Sequence, residues 1–255
     1  MRLKLTLQHS PNQALPINYQ YLISSWVYNT LAKADEKYAT FLHKHGYNFG
    51  GKNYKLFTFS PLYPSRYKVD TSKGNFILAE SPTELVLSFY LDDAMQHFVT
   101  GLFRDQRMRL GKVDFEISAI ETLPKPLFQK TMRFRLITPL CVSHNEEDKK
   151  YAQYLHPDAE GYGELFFHNL LRKGSAAVQI RYPTVELAVH PDYEFSYQIL
   201  SEPTSRLLHI KGTKVRGYLF DFEMTGPRKL LEVGWWAGFG EKNSSLGMGM
   251  AVGLK

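Results

Sequence analysis

Arg2-Leu3-Lys4-Leu5-Thr6-Leu7-Gln8 alternates polar and apolar side chains with a period of two. A strand of this kind turns its leucines to one face and its charges to the other, so it belongs to a sheet covered on one side. The residues that follow supply the cover. After the turn-prone Ser10-Pro11-Asn12, residues 18–33 put Leu22, Ile23, Trp26, Val27 and Leu31 on one helical stripe, with Asn18 as N-cap. Asp35 caps a second helix with the stripe Tyr38, Phe41, Leu42 and His45, and Gly46 stands where the helix stops. Three β-rich runs follow at 54–60, 75–80 and 84–90, punctuated by Pro, Gly and Ser. A helix over 92–109 carries Met95, Phe98, Val99 and Leu102 and ends at Gly111, and residues 112–122 alternate as a strand.

Strand, helix pair, strands, helix, strand is the order of a ferredoxin-like α+β sandwich. Pro124-Lys125-Pro126 then breaks the chain, dividing it into 1–123 and 124–255. Beyond the break, the pattern predicts a strand at 131–137 and helix at both ends of 146–173 around Gly161-Tyr162-Gly163. Strands at 193–200, 207–211 and 215–224 follow, and Pro227 opens a short helix as its first residue. The second half repeats the first in element order, without a residue-level repeat. The expected architecture is two tandem ferredoxin-like (RRM-like) domains, each an antiparallel sheet with helices on one face.

At 255 residues, 44% hydrophobic and 22% charged, the chain has the composition of a packed globular protein. Its one cysteine, Cys141, excludes an internal disulfide and any zinc site built on paired thiols, and fits a reducing compartment. The alternating N-terminus is no secretion signal, and no run approaches the ~20 uncharged apolar residues of a membrane span. A soluble, cytoplasmic protein with no membrane partner is expected. Lys and Arg number 31 against 25 Asp and Glu, a net +6 with a pI near 9.2, which suits an anionic partner. Residues 206–255 hold 8 basic and 4 acidic groups, so the tail is the basic part.

The tail also holds Gly234-Trp-Trp-Ala-Gly238-Phe-Gly240-Glu-Lys242-Asn243-Ser244-Ser245-Leu-Gly247-Met-Gly249-Met250, with 5 of the chain's 18 glycines in 16 residues. Glycines let successive N–H groups turn toward one anion, and a lysine, an amide and hydroxyls add phosphate contacts. A loop cradling phosphate is one reading, and a Gly-rich hairpin closing a sheet is the other. The glycines follow a helical stretch, unlike a dinucleotide fingerprint, and no Gly-Lys-Ser/Thr ends the loop as in a Walker motif, so no nucleotide cofactor is expected.

A second constellation is Tyr28, His43 and Lys55. Tyr28 lies with Tyr21, Ser24 and Ser25, off the apolar stripe of its helix; His43 is off the stripe of the next helix, whereas His45 is on it. A packing histidine therefore fits His45 better. Phenol, imidazole and ammonium together can deprotonate a hydroxyl, protonate a leaving oxygen and neutralise a phosphorane. Arg216-Gly-Tyr218-Leu-Phe220-Asp-Phe222 begins like the RNA-binding strand of RRM domains but lacks its later spacing, and reads better as a strand with its aromatics in the core. The run Glu146-Glu147-Asp148 beside Lys149-Lys150 reads as a solvated helix start. No metal-ligand spacing and no Ser or Cys nucleophile motif is present.

Leu15-Pro-Ile-Asn-Tyr-Gln-Tyr21, Trp26-Val-Tyr28-Asn29, Phe41-Leu-His43, Lys55-Leu-Phe-Thr-Phe-Ser60 and Gly238-Phe-Gly240-Glu-Lys-Asn-Ser with Gly247-Met-Gly249 occur in this order. Together they resemble the CRISPR-associated endoribonuclease family that cuts the repeat of precursor CRISPR RNA (Cas-six). The resemblance implies tandem ferredoxin-like domains, RNA as partner, and cleavage without metal or cofactor. In that chemistry the 2′-OH attacks the adjacent phosphate and leaves a 2′,3′-cyclic phosphate and a 5′-OH. It also implies Tyr28, His43 and Lys55 as the catalytic set. The glycine loop, through Gly238, Gly240, Lys242, Asn243, Ser244, Ser245, Gly247 and Gly249, would contact RNA between the domains. Tyr47 to Asn53 lengthens the His-to-Lys connection, so Lys52 competes with Lys55 for the phosphate. A noncatalytic repeat-binding subunit and an unrelated ferredoxin-like interaction protein are the alternatives, and further CRISPR effector subunits or a homodimer stay open as partners.

Overall fold

The computed structural model describes residues 1–144, 153–181, 194–210, 212–241 and 244–254. The expected Glu146–Lys150 helix start lies outside the described residues, as do Lys242 and Asn243.

The first half contains β1 (Arg2–Gln8), β2 (Gln13–Pro16), α1 (Gln20–Ala34), α2 (Glu36–Lys44), β3 (Tyr47–Phe49), β4 (Lys52–Tyr54), β5 (Phe57–Phe59), β6 (Tyr63–Asp70), β7 (Asn75–Phe89), α3 (Asp92–Arg104), β8 (Arg107–Leu110) and β9 (Val113–Leu123). β1 lies between β7 and β9, antiparallel to both, and β5 pairs the far side of β7. The order β9-β1-β7-β5 is that of a ferredoxin-like sheet. The leucines of β1 behave as their alternation requires: Leu3, Leu5 and Leu7 are buried together with Ile23, Val27 and Leu31 of α1 and Phe98 and Leu102 of α3.

The second half contains β10 (Thr131–Leu136), the short pair β11 (Ser143–His144) and β12 (Gln153–Tyr154), α4 (Tyr162–Arg181), β13 (Ser196–Ile199), the hairpin β14 (Thr204–Ile210) and β15 (Thr213–Leu219), β16 (Asp221–Thr225), α5 (Arg228–Ala237), a 3-10 turn (Ser244–Leu246) and β17 (Ala251–Gly253). Its sheet runs β13-β16-β10-β17, so the ferredoxin-like order recurs with the β14–β15 hairpin inserted. Phe134, Phe166, Phe222 and Phe239 pack ring against ring between this sheet and α4. On the open face Arg133 pairs Glu223 at 2.8 Å and Arg135 pairs Asp221 at 2.7 Å across adjacent strands. Tyr218, Phe220 and Phe222 are buried, so the RRM-like run is core, as its spacing suggested.

Several element limits differ from the sequence reading. Tyr19, not Asn18, is the N-cap of α1, and no side chain caps it; Asp35 does cap α2, accepting the Tyr38 N–H at 2.9 Å. The run 54–60 breaks at Leu56, whose φ of 55° divides β4 from β5. Residues 75–80 and 84–90 join as β7 because β6, missed by its weak alternation, pairs along that strand. The helix over 92–109 ends at Arg104, and Gly111 turns the hairpin between β8 and β9 rather than ending a helix. α4 continues through the apparent stop at Lys173-Gly174 to Arg181, and Pro227 caps α5 from outside its first turn.

α1 and α3 cross at Gly101, where an added Cβ would run into the backbone carbonyl of Thr30. Gly101→Ala is expected to cost about 1–3 kcal/mol by overpacking. Urea unfolding measures it, and an unchanged midpoint would mean that the helices can separate without loss.

Candidate active site

Tyr28 lies on the third turn of α1, His43 on the last turn of α2, and Lys55 just after β4. The turn at Gly46 folds the β3–β4 hairpin back so that Lys55 meets the end of α2. There the Lys55 ammonium donates to the His43 carbonyl at 2.9 Å. The Tyr28 and His43 rings meet edge to face, with centroids 4.9 Å apart. The three side chains picked from the sequence are thus brought together. His43 and His45 are both exposed, so burial does not separate them as the stripe suggested; the contact with Tyr28 does.

Tyr28 is half-buried, and its other ring neighbour is Phe57 of β5. Burial pushes the phenol up to about 12, against a smaller pull from the nearby Ser245 side chain. Partial burial also lowers the Lys55 ammonium, which favours its neutral form relative to a solvated lysine. Ser245 belongs to the 3-10 turn of the second half, so the C-terminal loop reaches the phenol of the first.

The glycine-rich loop is built differently from an open phosphate cradle. Gly238, Gly240, Gly247 and Gly249 are all buried. The Phe239 N–H donates to Gly249 O at 2.7 Å, Glu241 N–H to Cys141 O at 3.0 Å, Gly247 N–H to Ser244 O at 2.8 Å and Gly249 N–H to Pro139 O at 2.9 Å. Four of the loop's backbone donors are thus spent inside the protein. The glycines serve close packing: at Gly249 a Cβ would collide with the backbone of Phe239. Among the described residues of the loop, Ser244 and Ser245 are the hydroxyls that stay partly exposed. With Lys52, Asn53, Tyr54, Lys55, Lys173 and Glu241 they line a cleft of about 370 Å³ between the two halves.

Lys52 does reach this cleft, but its ammonium pairs with Glu241 at 2.9 Å, and Glu241 also accepts from the Ser143 hydroxyl at 2.6 Å. Lys55 has no such carboxylate within the described residues. Sequence reasoning missed Lys173, Tyr54 and Glu241. The available signal was a lysine inside the apolar stripe of α4, and it was masked by the glycine that follows it.

Residues 14–121 match the family model described as CRISPR-associated protein Cas6, N-terminal, and residues 122–252 the one described as CRISPR associated protein Cas6, C-terminal. The CRISPR-associated endoribonuclease Cas6 1 of Methanocaldococcus jannaschii is 28% identical over 257 residues, spanning 100% of this chain and 93% of its own. A putative CRISPR-associated endoribonuclease-like protein Cas6 of Pyrococcus furiosus is 26% identical over 249 residues, spanning 96% and 94%. The solved structure of a Cas6-related gene product from Pyrococcus furiosus superposes with a TM-score of 0.81 at 23% identity, covering 100% of this chain and 98% of that one. With both halves matched and the ferredoxin-like order present twice, the chain belongs to the Cas6 family of CRISPR-associated proteins.

Proposed function

We propose that the chain is an endoribonuclease that cuts the repeat of precursor CRISPR RNA without a metal ion, with Tyr28, His43 and Lys55 as its catalytic residues. The observation that carries this reading is the Tyr28–His43 ring contact, in a hollow between α1 and α2, next to the Lys55 ammonium, which donates to the His43 carbonyl and itself lines the interdomain cleft. The related proteins bear both names, endoribonuclease and endoribonuclease-like, at 28% and 26% identity, so overall similarity does not decide the matter and the side chains must.

RNA brings its own nucleophile. The His43 imidazole takes the proton of the 2′-OH, whose oxygen attacks the adjacent phosphorus. The P–O5′ bond breaks, the Tyr28 phenol gives its proton to the departing oxygen, and a 2′,3′-cyclic phosphate and a 5′-OH result. Tyr28 suits the donor's part because its phenol keeps its proton to about pH 12. The phenolate then regains a proton from the neighbouring imidazolium, which restores both groups. Lys55 stabilises the charge of the phosphorane, and acid–base help of this type supplies about 10²–10⁴-fold. Residues 1–123 thus carry the chemistry, and residues 124–255 carry the loop that closes over it. Lys52, Ser244 and Ser245 contact the RNA from the cleft wall, and Gly238, Gly240, Gly247 and Gly249 shape that wall; Lys242 and Asn243 are further RNA contacts of the same loop.

His43→Ala should lower single-turnover cleavage of the cognate repeat by about 10²–10⁴-fold while leaving RNA affinity nearly intact. Unchanged cleavage would remove His43 from the mechanism. Cleavage by the wild-type chain should persist in EDTA; tight RNA binding with no product would favour the noncatalytic subunit instead.

Lys52 and Lys55 are separable by the same assay. Since Glu241 already neutralises Lys52, Lys55→Ala is expected to cost roughly 10²-fold in rate and Lys52→Ala to act mainly on binding. The reverse ranking would hand the phosphate to Lys52.

A further inference from the structure

Below the glycine-rich loop, Lys173 on α4 is 2% exposed, among the most deeply buried charged side chains described. Its ammonium donates to two carbonyl oxygens of the loop, those of Gly238 and Gly240, the second at 3.1 Å. Both acceptors follow α5, where helix carbonyls run out of N–H partners. The loop has little freedom to settle elsewhere: a Cβ on Gly240, whose φ is +85°, would lie 2.9 Å from Cys141 O. Four to six residues further on comes the 3-10 turn, held from the other side by the Thr58 hydroxyl on Met248 O at 3.1 Å. That turn packs against α1, and Ser245 in it lies near enough to the Tyr28 phenol to oppose the rise that burial gives its pKa. One ammonium thus anchors the near end of a segment whose far part touches a catalytic side chain.

We propose that Lys173 is a positioning residue for the cleavage reaction, its ammonium holding the glycine-rich loop in the conformation that sets Ser245 on Tyr28. This rests on the cleavage reading above. Among the described residues no other side chain donates to the two carbonyls, and charge-assisted hydrogen bonds in a dry site are stronger than neutral ones. An apolar residue at this place would leave both oxygens buried and unsatisfied, and the loop would shift to rehydrate them.

The clamp also carries a pH signature. Desolvation lowers the Lys173 pKa to about 8, and Cys141 opposes this weakly. Among the described residues, the other titratable groups around the same cleft are Glu241 of the loop and Lys52, Tyr54 and Lys55 of the β4 segment. As pH rises through about 8 the amine becomes neutral and its hold on the carbonyls weakens. Global stability moves the other way. The unfolded lysine keeps its proton to its ordinary 10.5, so between the two values the unfolded state binds more protons and unfolding becomes less favourable as pH rises. A residue with a merely structural role would not lose activity while stability rises.

Single-turnover cleavage and urea unfolding are measured on the wild-type chain from neutral pH to about pH 9.5. The rate should fall with an apparent pKa near 8 while unfolding free energy does not fall. At neutral pH, Lys173→Met should lose roughly tenfold to a hundredfold in rate, with RNA affinity within about threefold. Combined with Ser245→Ala, it should do no further harm. The alkaline limb should also vanish in Ser245→Ala alone, which keeps Lys173 and serves if Lys173→Met does not fold. A folded Lys173→Met with wild-type rate, multiplicative losses in the double variant, or a limb that persists in Ser245→Ala overturns the proposal. A wild-type chain that cuts nothing fails the cleavage reading instead. The clamp is then read on RNA-free protein, where Lys173→Met, or Lys173→Gln if Met does not fold, should speed hydrogen exchange at the Phe239 and Glu241 amides. Unchanged exchange there refutes it.

Discussion

The end of α5 is where the two halves of the molecule are tied. A helix C-terminus presents carbonyl oxygens with no N–H left to meet them, and here they are buried at a domain interface. Arg2 of β1 donates to Trp235 O at 2.5 Å while its guanidinium lies 3.5 Å from the centre of the Trp235 ring. Ser88 of β7 donates to Trp236 O at 2.7 Å, and Lys173 holds Gly238 O and Gly240 O. Donors from the first sheet and from α4 therefore converge on one short stretch of backbone. Each buried cation meets the negative end of a helix dipole rather than a carboxylate. The cleft inherits its shape from this junction, because the loop that leaves α5 forms one of its walls.

That junction explains what the opening strand revealed and what it hid. Alternation in Arg2–Gln8 correctly implied one covered face, since the leucines pack under α1 and α3. Its polar face reads as solvated, yet the face is divided. Lys4 is a half-buried partner of the exposed Glu84 and Glu121 side chains, whereas Arg2, two residues earlier, is 3% exposed against the second domain. Period-two patterning is a local signal and cannot report an interface made with residues 233 positions away. The same limit applies to Gly111 and to the helix limit at 173. A glycine after an apolar stripe looks like a helix stop, but pairing of β8 with β9 makes Gly111 a hairpin turn, and α4 runs past 173 to Arg181.

Tyr28, His43 and Lys55 were legible for the opposite reason. They lie within 28 residues of one another, on consecutive elements whose caps and turns are written locally: Asp35 starts α2 and Gly46 ends it. The glycine loop was visible as a composition anomaly, but its role was not. Glycine richness marks either backbone donors turned outward or backbone brought too close for a side chain. Only the hydrogen bonds decide, and they point inward. The basic tail misled similarly. Arg206, Lys214 and Arg216 lie on the β14–β15 hairpin and Arg228 and Lys229 open α5, while the cleft draws Lys52, Lys55 and Lys173 from earlier parts of the chain.

How those cleft lysines are held matters to a polyanion. A carboxylate partner fixes an ammonium and cancels its field, whereas a backbone carbonyl orients the ammonium and leaves its unit charge in place. Lys55 rests on the His43 carbonyl and Lys173 on two loop carbonyls, so both keep their charge for the cleft. Lys52 is the exception: Glu241 neutralises it and ties it to Ser143. Of the four charged residues among the described ones lining the cleft, three are positive and one negative, a net of +2. This arrangement costs stability, because charge is buried without a counterion, and burial lowers the pKa of both carbonyl-held lysines. A protein selected for stability alone would pair or remove them. In the cleavage reading proposed above, the field they leave uncancelled is what would draw a phosphate toward the phenol and the imidazole.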